Sequence, residues 1–395
     1  MAGPVVAGPV AGPTLGAVRA LVAMSGGVDS SVAAALALRA GHHVVGVTLK
    51  LWGGPSDSGC CSVADVEDAR RVADRLGIDH HVFNYEELFE AAVVRPYVEA
   101  HCRGATPNPC VECNRHVKFG ALLQRAGRLG FDALVTGHHA RVTVDGGRHR
   151  LRRGRDAAKD QSYVLAMLEE SQLRRLLLPV GDLTKAEVRA IAAHLGLRTA
   201  AKPDSQDVCF IGRAGGRAEF LGQRIDLHAG ALVDAATGAA VGAVPAVELV
   251  TIGQRRGLSD GGGGARRYAV AVDVPGRRVV VGSASDVRAD VVPVEQVTWA
   301  AGPAGEGAPV LVQCSAHGPA WPARWVAGAP GGPSVRFAEP QRRVAPGQTV
   351  AIYDPADPDA VVGSAVARPV AVPSVAVPPV AVPPAGGPPA VVPAR

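Results

Sequence analysis

Three segments carry residue types that could do chemistry. The first is Ser25-Gly26-Gly27-Val28-Asp29-Ser30-Ser31, set between the apolar run Val18 to Met24 and an Ala/Leu-rich stretch from Asp29 to Ala40. A strand, a glycine turn and a helix in that order bring backbone N–H groups and a helix N-terminus together where an anion would sit. Gly26 and Gly27 permit close backbone approach, and Ser25, Ser30 and Ser31 add hydroxyl donors. Asp29 can cap the helix or hold a magnesium ion bound to phosphates. No Gly-Lys-Ser/Thr follows, so this is not a Walker A loop.

The second segment is Thr106-Pro107-Asn108-Pro109-Cys110-Val111-Glu112-Cys113-Asn114. Its two prolines stiffen a loop and place a cysteine at the start of the next helix, where the helix dipole lowers a thiol pKa. Cys113 is therefore a candidate nucleophile or acid/base. The Cys110 to Cys113 spacing equally fits half of a zinc site, but the adjacent Cys60 and Cys61 would have to complete it, and no second Cys-x-x-Cys exists. The third segment is Lys202-Pro203-Asp204-Ser205-Gln206-Asp207-Val208-Cys209-Phe210-Ile211-Gly212. Its polar flanks argue against simple burial of Cys209, although a lone cysteine is often inert core filler.

The elements that must position these groups read as alternating strands and helices. After the glycine turn comes a buried strand, His43 to Leu49, then a helix capped by Ser62 and ended by Gly77. A strand from Asp79 to Asn84, helices near Glu86 to Cys102 and Asn114 to Leu129, and a strand from Ala133 to Thr136 follow. Such alternation predicts an α/β domain with a parallel sheet and crossover helices. Beyond Ile211, Val, Gly and Pro dominate and short alternating runs such as Tyr268 to Val274 and Arg278 to Val281 predict β-rich domains. The expected divisions are an arm over 1–16, a catalytic domain over 17–215, a small central domain over 216–290, a C-terminal barrel over 291–367 and a Pro/Val/Ala-rich tail over 368–395. Both ends read as disordered.

Composition bounds the rest. The 395 residues, 47% hydrophobic and 19% charged, suffice for two or three packed domains. No apolar run approaches the roughly 20 residues of a membrane span, and the N-terminus lacks a basic signal-peptide region, so a cytoplasmic protein is expected. The net charge of +5 permits a polyanionic partner without requiring one. Only five residues are Lys (Lys50, Lys118, Lys159, Lys185, Lys202) against thirty-six Arg, which makes each surviving Lys worth attention. The paired His42, His43, His80 and His81 read as structural. Arg141, Arg148, Arg150, Arg152, Arg153 and Arg155 crowd one stretch, and on a strand three of them would share a face able to meet nucleic-acid phosphates.

The motifs together resemble the tRNA-specific 2-thiouridylases, members of the N-type ATP pyrophosphatases. The likeness rests on the Ser-Gly-Gly-Val-Asp-Ser loop, Pro107-Asn108-Pro109 with Cys113-Asn114, Thr136-Gly137-His138, Lys159-Asp160-Gln161-Ser162-Tyr163 and the Cys209 segment. It continues through Thr251 to Leu258, Phe337 to Gln341 and Pro346-Gly347-Gln348. The resemblance implies an adenine nucleotide alpha hydrolase-like fold and sulfur insertion at C2 of the wobble uridine. ATP with Mg2+ would activate the C2 oxygen, and a persulfide on Cys209, loaded by an upstream sulfur-relay protein, would supply sulfur. Cys113 would act as acid/base or form a transient disulfide with Cys209.

By the same resemblance, ATP contacts fall on Ala23, Met24, Ser25, Gly26, Gly27, Val28, Asp29, Ser30, Leu49 and Gly137. Base and tRNA contacts fall on Asn108, Pro109, Cys110, His138, Lys159, Asp160, Gln161 and Gln348. Cys110 stands where other members carry Asp, His139 replaces a usual Tyr, and Ser315-Ala316-His317 replaces an Arg-led segment. Two rival readings are another ATP pyrophosphatase that aminates a small carbonyl substrate, and a noncatalytic RNA-binding or redox module.

Overall fold

The computed structural model describes residues 16–53, 62–204, 208–212, 215–258, 266–300, 302–328 and 331–370. The expected arm and tail, apart from Gly16 and residues 368–370, lie outside the described residues, as do Cys60, Cys61, Ser205, Gln206 and Asp207.

The N-terminal domain is built on β1 (Arg19–Ala23), β2 (His43–Lys50), β3 (His80–Asn84) and β4 (Ala133–Val135). A hairpin, β5 (Ala140–Asp145) and β6 (Arg148–Arg153), precedes the short β7 (Leu176–Leu177). The sheet order is β3-β2-β1-β4-β7, all parallel, as the alternation of elements predicts. Alternate residues of β1 point to opposite cores: Leu21 packs with Val45 and Leu49 on one face, Ala20 and Val22 with Val44 on the other. The chain reverses its direction of winding between β1 and β4. In an open parallel sheet the crevice beyond the carboxyl ends of such strands is where ligands bind.

Helix α1 (Val28–Arg39) follows β1 directly. In α2 (Val63–Leu76) the Ser62 side chain accepts the Asp65 N–H, and Gly77 ends the helix at φ 70°, the cap chemistry its sequence predicts. Helix α3 runs over 86–102 and widens to i→i+5 bonding over Glu90–Val94. Pro96 follows that stretch; it has no N–H to give and its ring crowds the preceding turn. Helix α4 runs over 109–128, five residues earlier at its start than the apolar pattern suggests, because Asn108 and Pro109 supply cap and first turn. Cys113 opens its widened stretch, Cys113–Leu122. Helix α5 (Lys185–His194) is capped reciprocally by Thr184 and Glu187.

The middle domain pairs β8 (Gly230–Asp234), β9 (Ala240–Val244), β10 (Tyr268–Asp273) and β11 (Arg278–Gly282) in the order β10-β11-β8-β9. Six strands then close into a barrel: β12 (Arg288–Trp299), β13 (Pro309–Gln313), β14 (Trp321–Val326), β15 (Ser334–Arg342), β16 (Thr349–Tyr353) and β17 (Val361–Ala367). Val294, Val312, Trp325, Val335 and Ile352 fill its interior. Among the described residues no helix is long and apolar enough to cross a membrane.

Candidate active site

The loop after β1 is shaped by contacts only glycine allows. Gly26 has φ 70°, and a Cβ there would stand 2.3 Å from the Asp65 carbonyl oxygen. Ser30 and Ser31 hydroxyls both donate to the Gly27 carbonyl, at 3.2 and 2.8 Å, and the Ser25 N–H donates to Ser30 Oγ at 3.1 Å. These serines brace the turn itself. From across the switch point, Gly137 approaches so closely that a Cβ would lie 2.5 Å from the Ser30 nitrogen. Ala23 ends β1, while Met24 and Leu49 are buried beside the loop's base.

Asp29, in the first turn of α1, anchors a chain of charges. Lys185 Nζ donates to both of its carboxylate oxygens at 2.7 Å, and His139 Nε2 stands 3.1 Å from Oδ1. Burial alone would raise the Asp29 carboxyl, but these two partners outweigh it and hold the pKa below the ordinary value. Lys185 also pairs with Asp204 at 2.8 Å, and Asp204 receives Lys159 and Arg189, each at 2.8 Å. Burial again opposes ionisation, yet Lys159 and Lys185 bring the Asp204 carboxyl down to about 2. On the other side of the loop Lys202 Nζ donates to the Gly26 carbonyl at 3.0 Å and pairs with Asp65 and Asp68 at 2.6 and 2.7 Å. The ionised Asp29 has the charge and the hard oxygen donors that a magnesium ion would require.

Phe210 is buried among Trp52, Phe89, Tyr97 and Phe220, with ring centroids 6.1, 5.7, 5.5 and 4.9 Å away. Cys209 is half-buried and packs against the apolar cluster that contains Phe210 and the buried Cys113. Both candidate cysteines therefore border one core. Beside Cys113, Asn114 is buried, its Nδ2 donating to the Val164 carbonyl at 3.0 Å; its Oδ1 has no donor among the described residues. His138 is buried too, with Nδ1 2.8 Å from Thr136 Oγ1 and its ring 5.7 Å from Phe119. Desolvation, then the nearby Lys118 charge, drives its pKa well below 6.5, so His138 is neutral at physiological pH.

Several residues with expected RNA contacts are engaged within the protein. Asn108 Oδ1 accepts the Cys110 N–H at 3.0 Å as a helix cap, with Pro109 buried and Cys110 exposed on the first turn. Gln161 Oε1 accepts the His139 N–H at 2.9 Å. Asp160 accepts from Arg153, Gly154 and Ser162 and is nearly enclosed. Gln348 Nε2 donates to the Thr106 carbonyl. The arginine-rich stretch departs from expectation more sharply. Arg148, Arg150 and Arg152 do share a strand, but Arg152 is bidentate to Asp357 at 2.6 and 2.7 Å, and Arg150 and Arg152 lie within 3.9 Å of Asp145. Arg141 pairs with Asp359 at 2.9 Å, and Arg153 stacks 3.9 Å over the Tyr353 ring. Much of this basic run clamps the hairpin to the barrel rather than presenting a phosphate-binding face.

The paired histidines are structural where they are enclosed: His80 Nε2 meets Thr48 Oγ1 at 2.9 Å. Among the described residues no group of His, Cys, Asp and Glu is arranged to hold a metal ion, and Cys60 and Cys61 lie outside those residues. Sequence motifs alone overlook Lys185, Arg189, Asp65 and Asp68. The scarcity of lysine was the available signal for Lys185, since Lys118, Lys159, Lys185 and Lys202 all prove to border this region.

Three family models match in succession: the tRNA methyl transferase HUP domain over 18–213, the tRNA methyl transferase PRC-barrel domain over 218–283 and the aminomethyltransferase beta-barrel domain over 290–367. The chain is 45% identical over 361 residues to a tRNA-specific 2-thiouridylase MnmA of Roseiflexus sp. (strain RS-1), covering 85% of this chain and 96% of that one. It is 48% identical over 359 residues to the protein of the same name from Mycolicibacterium paratuberculosis, covering 88% and 98%. A solved 4-thiouridine synthetase–RNA complex with bound ATP matches at a TM-score of 0.34 and 20% identity, over 52% of this chain and 50% of that one. With identity at this level across all three domains, the chain belongs to the tRNA-specific 2-thiouridylase family.

Proposed function

We propose that this protein converts the wobble uridine of tRNA to 2-thiouridine, using ATP to activate the C2 oxygen and a Cys209 persulfide to deliver sulfur. One observation carries the reading. The chain Asp29–Lys185–Asp204 ties the nucleotide loop to the segment leading into Cys209, while Cys209 packs on the same core as Cys113. The ionic chain and the shared apolar core support placing the nucleotide chemistry and the two thiols in one reaction.

The chemistry suits that arrangement. C2 of uracil is a urea-like carbonyl and a poor electrophile; adenylation of its oxygen, with release of pyrophosphate, makes it a leaving group. Lys185 and the backbone around Gly26 and Gly27 stand where phosphate charge would be met, with Asp29 the carboxylate for Mg2+. The terminal persulfide sulfur on Cys209 attacks C2 and AMP departs. The base is then held to Cys209 through a disulfide, which a thiolate must break by attacking Cys209 Sγ: either Cys113 does so, leaving a Cys113–Cys209 disulfide for an external dithiol to reduce, or an external dithiol does so directly while Cys113 moves protons. Because the wobble base must leave its stack to reach the thiols, tRNA binds with that base extruded.

The test combines purified protein, Mg-ATP, a persulfide donor and unmodified tRNA, and measures 2-thiouridine and AMP. Cys209→Ser is expected to bind tRNA normally and yield no 2-thiouridine; equal thiolation by that variant rejects the assignment. Mass spectrometry without reductant separates the two roles of Cys113, since only the first leaves a bond to Cys209.

A further inference from the structure

Thr106 sits in the loop between α3 and α4, and each of its polar groups is met by a C-terminal domain. Its N–H donates to the Pro346 carbonyl at 2.8 Å, its carbonyl accepts from Gln348 Nε2, and its hydroxyl donates to Thr251 Oγ1 at 3.3 Å. Pro107 lies against Gly347, whose φ is +85° and where a Cβ would stand 3.1 Å from the Pro107 nitrogen. Upstream, Gly104 abuts Val272 of β10, 3.3 Å from where its Cβ would be. The receiving turn is itself fixed. Gly347 N–H donates to the Ala367 carbonyl and Ala367 N–H to the Gln348 carbonyl, both at 2.8 Å. Immediately downstream, Asn108 caps the helix that carries Cys113.

A surface loop ordinarily satisfies its polar groups locally or with water. Here they reach two other domains, at the point where the chain turns into α4. We propose that the turn Pro346-Gly347-Gln348, with Thr251 beside it, positions the start of α4 and thereby Cys113. Thr106, Gly347 and Thr251 are positioning residues; none touches a reacting atom. The inference rests on the role given to Cys113 above. It assigns the middle domain and the barrel a part in turnover that is separate from holding RNA. Misplacing a reacting group by about an ångström costs up to roughly 100-fold in rate.

The experiment uses the full chain with Gly347→Val, which sets a branched side chain on Pro107 at a left-handed φ, and Thr251→Val, which at similar volume removes the hydroxyl that accepts from Thr106 and, at 3.4 Å, from Arg217. Turnover at saturating tRNA, KM for tRNA, thermal midpoint and the alkylation rate of Cys113 relative to the exposed Cys102 are measured. Gly347→Val is expected to lose about 10-fold to 100-fold in kcat, to keep KM for tRNA within about two-fold, and to alkylate faster at Cys113. Thr251→Val moves the same way by less, and decides the matter if Gly347→Val does not fold. Wild-type kcat and Cys113 reactivity in the folded variants overturn the proposal, as does weakened tRNA binding with Cys113 reactivity unchanged. If the unaltered protein makes no 2-thiouridine, the proposed function fails, while Cys113 alkylation still decides whether the turn positions α4.

Discussion

At the scale of single residues, Lys185 holds the most consequential place. It is the shared counter-ion of Asp29 and Asp204, and its side chain is only 12% exposed. Removing it leaves two carboxylates with less positive charge between them and withdraws a cation from the proposed phosphate site. Lys185→Met is expected to lower AMP formation about 100-fold or more, the size of effect seen when a charge-stabilising group is deleted from a reaction centre. AMP release measured under saturating tRNA checks this, and a loss under about three-fold would remove Lys185 from the reaction. The motif residues flanking this lysine were readable from sequence because glycine turns, caps and Cys-x-x-Cys spacing are local patterns. Lys185 stood out only as one of few lysines; its role was not readable, because that comes from Asp29 and Asp204, and only the fold makes the three neighbours.

At the scale of elements, the turn after β4 shows how burial makes a motif pH-sensitive. His138 is enclosed and neutral, with its folded-state pKa depressed below the unfolded value of about 6.5. The unfolded chain therefore binds a proton that the folded one refuses. Stability from this site is complete above about pH 6.5 and is lost as pH falls, by up to roughly 1.4 kcal/mol per pH unit. Denaturant unfolding at pH 7 and pH 5 is expected to show that slope, and His138→Gln to flatten part of it. A residual slope remains because His80 and His101 are also pushed down by burial. The alternation of strands and helices was legible from β1 to β4, where β1, β2 and β4 are short apolar runs; the two-residue β7 and helix α5 were not, being too short or too polar to show a period. The early start of α4 was not, since Asn108 and Pro109 read as loop residues until the cap is seen.

At the scale of the molecule, the three domains are joined by specific polar ties. Arg152 with Asp357 and Arg141 with Asp359 fasten the β5–β6 hairpin to the barrel, while Thr106 reaches both C-terminal domains. A double-mutant cycle with Arg152→Ala and Asp357→Ala is expected to give a coupling near 1 kcal/mol in thermal unfolding; a value indistinguishable from zero would show that the clamp does not hold. Sequence suggested instead that this arginine run faced RNA. Its spacing says which residues share a face but not what lies opposite, and the opposing aspartates are some 200 positions away.

The barrel closes by pairing its first strand, β12, with its last, β17. Entrance and exit of that domain consequently lie side by side, so it is built like a cassette that evolution could exchange without rethreading the rest of the chain. Any replacement would inherit the aspartates that meet Arg141 and Arg152 and a rigid corner at the height of Gly347, offering a carbonyl and an amide to Thr106.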